Sequence, residues 1–167
     1  CFDVGHHSLA AVSHIQELYE EHKDAFSYTG WTEEKILTIL VYGALLHDVA
    51  KPDCRTVDEE GIHHFHGHPE AGAKKAKQIL RRLKFDNDTI HTVTCLVRYH
   101  DYGNGVDPDM RIVRRGIQKV GEDIFPLLIP VRHADVCAQS DYKKTEKLEL
   151  LDKWERLYHE IVAKNQC

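Results

Sequence analysis

Spacing is the strongest constraint on what this chain can fold into. Apolar side chains recur at intervals of three, four and seven in segment after segment, and no stretch shows the strict alternation of a half-exposed strand. A chain with that period is predicted to be helical. The segments are joined by short connections, so neighbouring helices are expected to pack side by side. The pattern predicts helices over residues 7–27, 32–50, 69–84, 88–101, 109–119, 123–139 and 143–164, an all-α compact helical bundle of about six to seven helices. Local signals set the borders. Thr32 is a natural N-cap, with Glu33 and Glu34 suited to the positive end of the helix dipole. Pro52 stops the second helix, and Asp107-Pro108 reads as cap and first turn of the fifth. Pro126 and Pro130 should bend or offset the sixth. Residues 53–67 read as irregular, with a turn at Asp58-Glu59-Glu60-Gly61 and room for a short hairpin.

With 167 residues there is material for one buried core and not for two, so a single domain over 1–167 is expected. The longest apolar run, Ile36 to Leu46, is interrupted by Thr38 and Gly43 and falls short of the roughly 20 residues that span a bilayer. No membrane contact is expected. The N-terminus lacks the basic-then-apolar pattern of a secretory signal. The chain begins with Cys1 and not with Met, so it is expected to be processed, trimmed or excised from something longer. Five scattered cysteines without a paired short spacing indicate neither a thiolate zinc site nor a disulfide framework, and fit reduced thiols in a cytoplasmic protein. A net charge of −5 argues against a nucleic-acid surface spread over the whole domain. One local exception is the basic run Lys74, Lys75, Lys77, Arg81, Arg82 and Lys84, which reads as a solvated face or as a landing strip for RNA backbone.

The chemistry shows where polar residues occupy apolar positions. Along the first helix the stripe is His7, Ala11, His14 or Ile15, and Leu18. Along the second it is Ile36, Leu40, Gly43 or Ala44, and His47. The fourth carries Ile90, Val93, Val97 and His100, and the sixth Leu128, Val131, Asp135 and Ala138. Four helices thus turn a metal-ligating residue type inward. A buried carboxylate without a partner costs several kcal/mol, and neutral imidazoles beside ionised carboxylates are a good donor set for a divalent cation. The alternative for Asp135 is a salt bridge with its neighbour Arg132. Asp48 follows His47 directly; adjacent helical residues diverge by about 100°, so both reach one point only near a helix end, which Pro52 supplies.

Gly-Ala-Leu-Leu-His47-Asp48-Val-Ala-Lys51-Pro52 resembles the signature of the HD superfamily of metal-dependent phosphohydrolases, whose pattern is a His, then His-Asp, then a distant Asp. In this chain those positions are His7, His47, Asp48 and Asp135. A narrower resemblance lies in Asp3-Val-Gly-His-His7-Ser-Leu, Gly61-Ile-His-His-Phe65-His-Gly-His68-Pro-Glu, Leu96-Val-Arg-Tyr-His100 and Ala134-Asp135-Val-Cys-Ala-Gln139-Ser. These stretches are similar to the HD domain appended to bacterial tRNA nucleotidyltransferases, the CCA-adding enzymes. The nucleotide-adding half of those enzymes has no counterpart in this chain.

The resemblance implies one or two divalent ions (Mn, Fe, Co, Ni, Zn or Mg). One would be held by His7, His47, Asp48 and Asp135, and a second by His68, His100 and Asp48. It implies Asp48 and Lys51 as catalytic residues, and Lys51 and His64 as substrate contacts; Arg98, which with Asp101 flanks His100, reads from its position as a substrate contact or as a surface residue. The expected activity is hydrolysis of a nucleotide or RNA 3′-end phosphoester, of the 2′,3′-cyclic phosphodiesterase, 2′-nucleotidase or phosphatase type. The expected partners are a nucleotide or RNA end, tRNA included, and a nucleotidyltransferase domain in the full-length protein. The alternatives are an accessory module that positions tRNA without hydrolysing anything, and a small-nucleotide hydrolase unrelated to tRNA.

Overall fold

The computed structural model describes residues 3–165, of which all but one small hairpin is helix, turn or loop. Helix α1 runs over Val4–His22 and continues as a 3-10 helix over Lys23–Thr29. Then come α2 (Glu33–Leu46), β1 (Thr56–Val57), β2 (His63–His64), α3 (His68–Arg82), α4 (Asn87–Tyr99), α5 (Met110–Val120), α6 (Phe125–Ala138) and α7 (Lys144–Asn165). The hairpin anticipated around Asp58–Gly61 is present, antiparallel, with Thr56 opposite His64 and Val57 opposite His63.

Side-chain capping decides most helix starts. Asp3 accepts the backbone N–H of His6, Thr32 that of Lys35, and Asp86 that of Thr89. Two expected borders move. The cap of α5 is Asp109, whose carboxylate accepts from Ile112 N at 2.8 Å, while Asp107 is drawn off to pair with Lys153 across the surface. Helix α2 ends at Leu46, and residues 47–54 wind on as a series of turns. Pro52 falls within those turns.

Helix α2 is the hub, packed against α1, α4 and α6; α3 lies on α4, and α7 covers α5 and α6. Its central position explains its composition: Ile39, Leu40 and Ala44 are fully buried. Gly43 lets α4 and α6 close in, because a Cβ there would stand 3.1 Å from Leu96 Cδ1 and 3.4 Å from Val131 Cγ2. Ile15, Leu80, Val93, Val97, Leu127, Leu128, Phe125 and Trp154 complete the apolar interior. On α1 the stripe resolves in favour of Ile15, fully buried, while His14 is only half-buried. The helix ends of α2 and α4, the start of α3 and the inner faces of α1 and α6 meet at one edge of this core. Among the described residues no helix is long and apolar enough to cross a membrane, and Cys54, Cys95 and Cys137 are unpaired.

Candidate metal centre

Three of the four converging histidines are placed by the same local device. His47 is the C-cap of α2, His100 the C-cap of α4, and His68 the first residue of α3. Each folds back so that Nδ1–H donates to the carbonyl three residues earlier: Ala44 O at 2.7 Å, Val97 O at 2.7 Å and Phe65 O at 2.8 Å. For His47 and His100 this satisfies a carbonyl near a helix end, where the backbone ladder runs out of donors. His7, one turn into α1, sends Nδ1 to Ala138 O at the end of α6, 3.3 Å away. With every Nδ1 facing a backbone acceptor, each imidazole in its neutral form holds its proton there and presents an Nε2 lone pair to the interior.

Those lone pairs meet. His7 Nε2 lies 3.1 Å from His47 Nε2, and His68 Nε2 lies 3.2 Å from His100 Nε2. Two acceptors at that distance repel unless a proton or a cation sits between them. The carboxylates stand at the same points. Asp135 Oδ1 is 2.8 Å from His7 Nε2 and 3.3 Å from His47 Nε2. Asp48 Oδ2 is 3.3 Å from His47 Nε2 and 3.6 Å from His7 Nε2, while its other oxygen, Oδ1, is 3.5 Å from His68 Nε2 and 3.4 Å from His100 Nε2. Asp48 is 0% exposed, and neither oxygen makes a well-directed hydrogen bond, although the Lys51 ammonium lies 2.8 Å from Oδ2. A buried carboxylate with both oxygens so placed, facing four acceptor nitrogens, is a donor set that fits divalent cations. The residues form two groups, His7–His47–Asp48–Asp135 and Asp48–His68–His100, each with ligand atoms within 4.8 Å of one another and with Asp48 common to both.

The electrostatics follow the same map. Burial works to lower the His47 pKa, but the carboxylates of Asp135 and Asp48 outweigh it and push it up to about 10. Burial likewise opposes ionisation of Asp48, yet His100, His47 and His68 hold its carboxyl far below the ordinary range; His47 and His7 do the same for Asp135. His68 is raised, because Asp48 and the Phe65 carbonyl overcome its partial burial.

A cleft of about 820 Å³ lined by His7, Lys51, Gln139 and Ser140 opens onto this cluster. Lys51 stands at its edge, bound to Asp48 and 5.8 Å from the Phe65 ring centroid. The six His and Asp residues singled out by spacing and resemblance are thus brought together. His64 and Arg98 are not. His64 lies on β2, held by Asp58 at 2.7 Å and stacked on His66; Arg98 is exposed on the outer face of α4. Asp135 makes no salt bridge with Arg132; it turns to the histidines instead. The cluster has one further participant. Gln139, one turn after Asp135, donates from Nε2 to Asp135 Oδ1 at 3.1 Å, and Lys147 donates to Gln139 Oε1 at 2.5 Å. The i, i+4 spacing to Asp135 was the available signal.

Residues 4–139 match the family model described as the HD domain. The chain belongs to the HD domain family. HD domains form a superfamily of metal-dependent phosphohydrolases, and the cluster is where such a cation could be held. A CC-adding tRNA nucleotidyltransferase of Thermus thermophilus is 31% identical over 152 residues, covering 90% of this HD chain and 31% of the relative's length. An A-adding tRNA nucleotidyltransferase of Deinococcus radiodurans is 34% identical over 87 residues, covering 47% of the chain and 20% of that relative. The HD chain therefore spans less than a third of the length of either relative.

Proposed function

We propose that this HD domain hydrolyses phosphoesters on nucleotides or RNA 3′ ends with the help of one or two divalent ions. The carrying observation is that Asp48 directs one oxygen at His7 and His47 and the other at His68 and His100. His7, His47, Asp48 and Asp135 would hold one ion, and His68, His100 and Asp48 a second. Such ions supply a more acidic water and charge neutralisation for a phosphoryl group. The protein's own part is to present ligands already oriented by backbone carbonyls. Lys51, at the mouth of the cleft, adds positive charge where a phosphate would enter.

The substrate class rests on the tRNA nucleotidyltransferase relatives and on the open cleft of about 820 Å³ beside the cluster. A 2′,3′-cyclic phosphate, a 2′-phosphate and a simple monoester all suit an open site of this kind. The test is to load the protein with Mn, Ni or Co and compare 2′,3′-cyclic nucleotides, 2′- and 3′-monophosphates and 5′-triphosphates. Hydrolysis of the first two groups that disappears in His47→Ala and Asp48→Asn supports the proposal. No turnover of any phosphoester by any metal form would overturn it.

A second reading is favoured by the face of α3, where Lys74, Lys77, Arg81 and Arg82 are exposed. As part of a longer nucleotidyltransferase the domain would position tRNA, and its hydrolytic site would be subsidiary. Reversing the charge of those four residues separates the readings. It should weaken tRNA binding and its salt dependence while leaving hydrolysis of mononucleotides intact.

A further inference from the structure

Beyond Gln139 from the cleft mouth lies a second cavity of about 510 Å³, between the 103–105 loop, α6 and the first turns of α7, with Asp135 in its wall. Arg132 lines it, yet is only 5% exposed. A buried guanidinium normally has a carboxylate partner, because removing its charge from water is costly unless an opposite charge compensates it. Among the described residues no carboxylate comes within ion-pair distance of Arg132; it donates from Nη2 to Asn104 Oδ1 at 3.3 Å, lies 5.2 Å from the centroid of the Trp154 ring, and leaves Nε–H buried without an acceptor. Burial pushes its pKa down to about 10, against the pull of Asp135 and Asp101.

The same cavity is lined by Lys143 and Lys147, with Glu146 between them. Lys143 occupies the N-cap position of α7: its carbonyl accepts the N–H of Lys147 at 3.0 Å. Lysine has no side-chain acceptor with which to cap, and this one sits in the left-handed region at φ 54. The positive end of a 22-residue helix, two lysines and an unpaired buried guanidinium therefore share one cavity.

We infer that this cavity is a subsite for a second phosphate group of the substrate, one nucleoside away from the phosphoester that the His–Asp cluster addresses. The inference rests on the proposed phosphoesterase reading and narrows it to substrates that carry two phosphates. The second phosphate is either the 5′-phosphate of a mononucleotide or the internucleotide phosphate behind an RNA 3′ end. A purely structural Arg132, pinning Asn104 against Trp154, would not distinguish one phosphate from two.

The test is binding to the Mn-loaded protein, read by rapid mixing before turnover, of adenosine 3′-phosphate, adenosine 3′,5′-bisphosphate and the dinucleotide adenylyl-adenosine 3′-phosphate. The expected result is an affinity about tenfold or more higher for the two-phosphate ligands. Arg132→Met and Lys143→Ala should each shrink that ratio, and Arg132→Lys should keep part of it. A larger gain for the dinucleotide identifies the backbone phosphate as the natural occupant; a larger gain for the bisphosphate identifies the 5′-phosphate. Should Arg132→Met fail to fold, exposed Lys143 carries the test alone. Equal affinity for one and two phosphates, a preference that every variant retains, or no binding of any ligand overturns the subsite. Failure of the phosphoesterase reading would show separately, as absence of turnover in the hydrolysis assay.

Discussion

His7 and His47 face each other Nε2 to Nε2 at 3.1 Å, across a gap that Asp135 and Asp48 also border. In the tautomer that donates Nδ1–H to a backbone carbonyl, each ring offers an Nε2 lone pair to that gap. The gap therefore takes up a cation or a proton, and the two compete. In the metal-free protein His47 is pushed up to about 10 from an ordinary 6.5, so it holds a proton at neutral pH. Divalent metal should displace it, releasing protons on binding and binding more tightly as pH rises from 6 to 8. Titration calorimetry in buffers of different ionisation enthalpy measures the release directly; no release would contradict the arrangement. Stability of the metal-free fold moves the opposite way with pH. A raised His pKa stabilises the metal-free fold fully below about 6.5, and that contribution fades as pH climbs through about 10.

Replacing the shared carboxylate should affect both halves of the cluster. Asp48→Asn is expected to lower metal affinity by more than about 100-fold, the upper end of what even an indirect ligand contact is worth. Elemental analysis after gel filtration checks it. A variant that keeps its full metal content would show that Asp48 is not the bridge.

Gln139 acts on the cluster through Asp135 alone. Gln139→Leu should therefore weaken metal binding by about 10- to 100-fold at the His7–His47–Asp135 end. The His68–His100 end should be largely spared. Two-site metal titration separates the two steps.

At the start of α4, Asp86 accepts from the Thr89 hydroxyl at 2.7 Å, the Thr89 N–H at 3.1 Å and Lys35 at 3.0 Å. Together these hold its carboxyl well below the usual range. Asp86→Ala should cost about 1–2 kcal/mol, or roughly 2–8 °C in Tm. A depressed carboxylate contributes stability above its unfolded pKa of about 3.8 and loses it as pH falls further, so the penalty of the substitution should shrink in acid. Thermal melts at pH 7 and pH 3 test both parts.

Gly103 has φ 72, and a Cβ there would stand 2.6 Å from Trp154 Cζ2. Gly103→Ala combines backbone strain with a clash against a buried ring, and should destabilise by about 1–3 kcal/mol. Gly105, also at positive φ but with open space around it, provides the control. Calorimetric melts of the two variants should show the larger loss at Gly103.

The amino-acid order by itself determined the helical architecture, the Thr32 cap, and the inward stations of His7, His47, His100 and Asp135, because helix period and capping are local properties of residue type and spacing. It also marked His47-Asp48 as a pair that needs a helix end, and α2 does end at Leu46, leaving His47 as its C-cap. Tertiary structure decided the rest. The pairing of His68 with His100, the position of Asp48 between both groups, the Gln139–Lys147 contact and the placement of His64 and Arg98 outside the ligand groups depend on how α1, α3, α4, α6 and α7 pack. The distances between ligand atoms are set by contacts between residues up to 131 positions apart in the chain, and no local pattern encodes them.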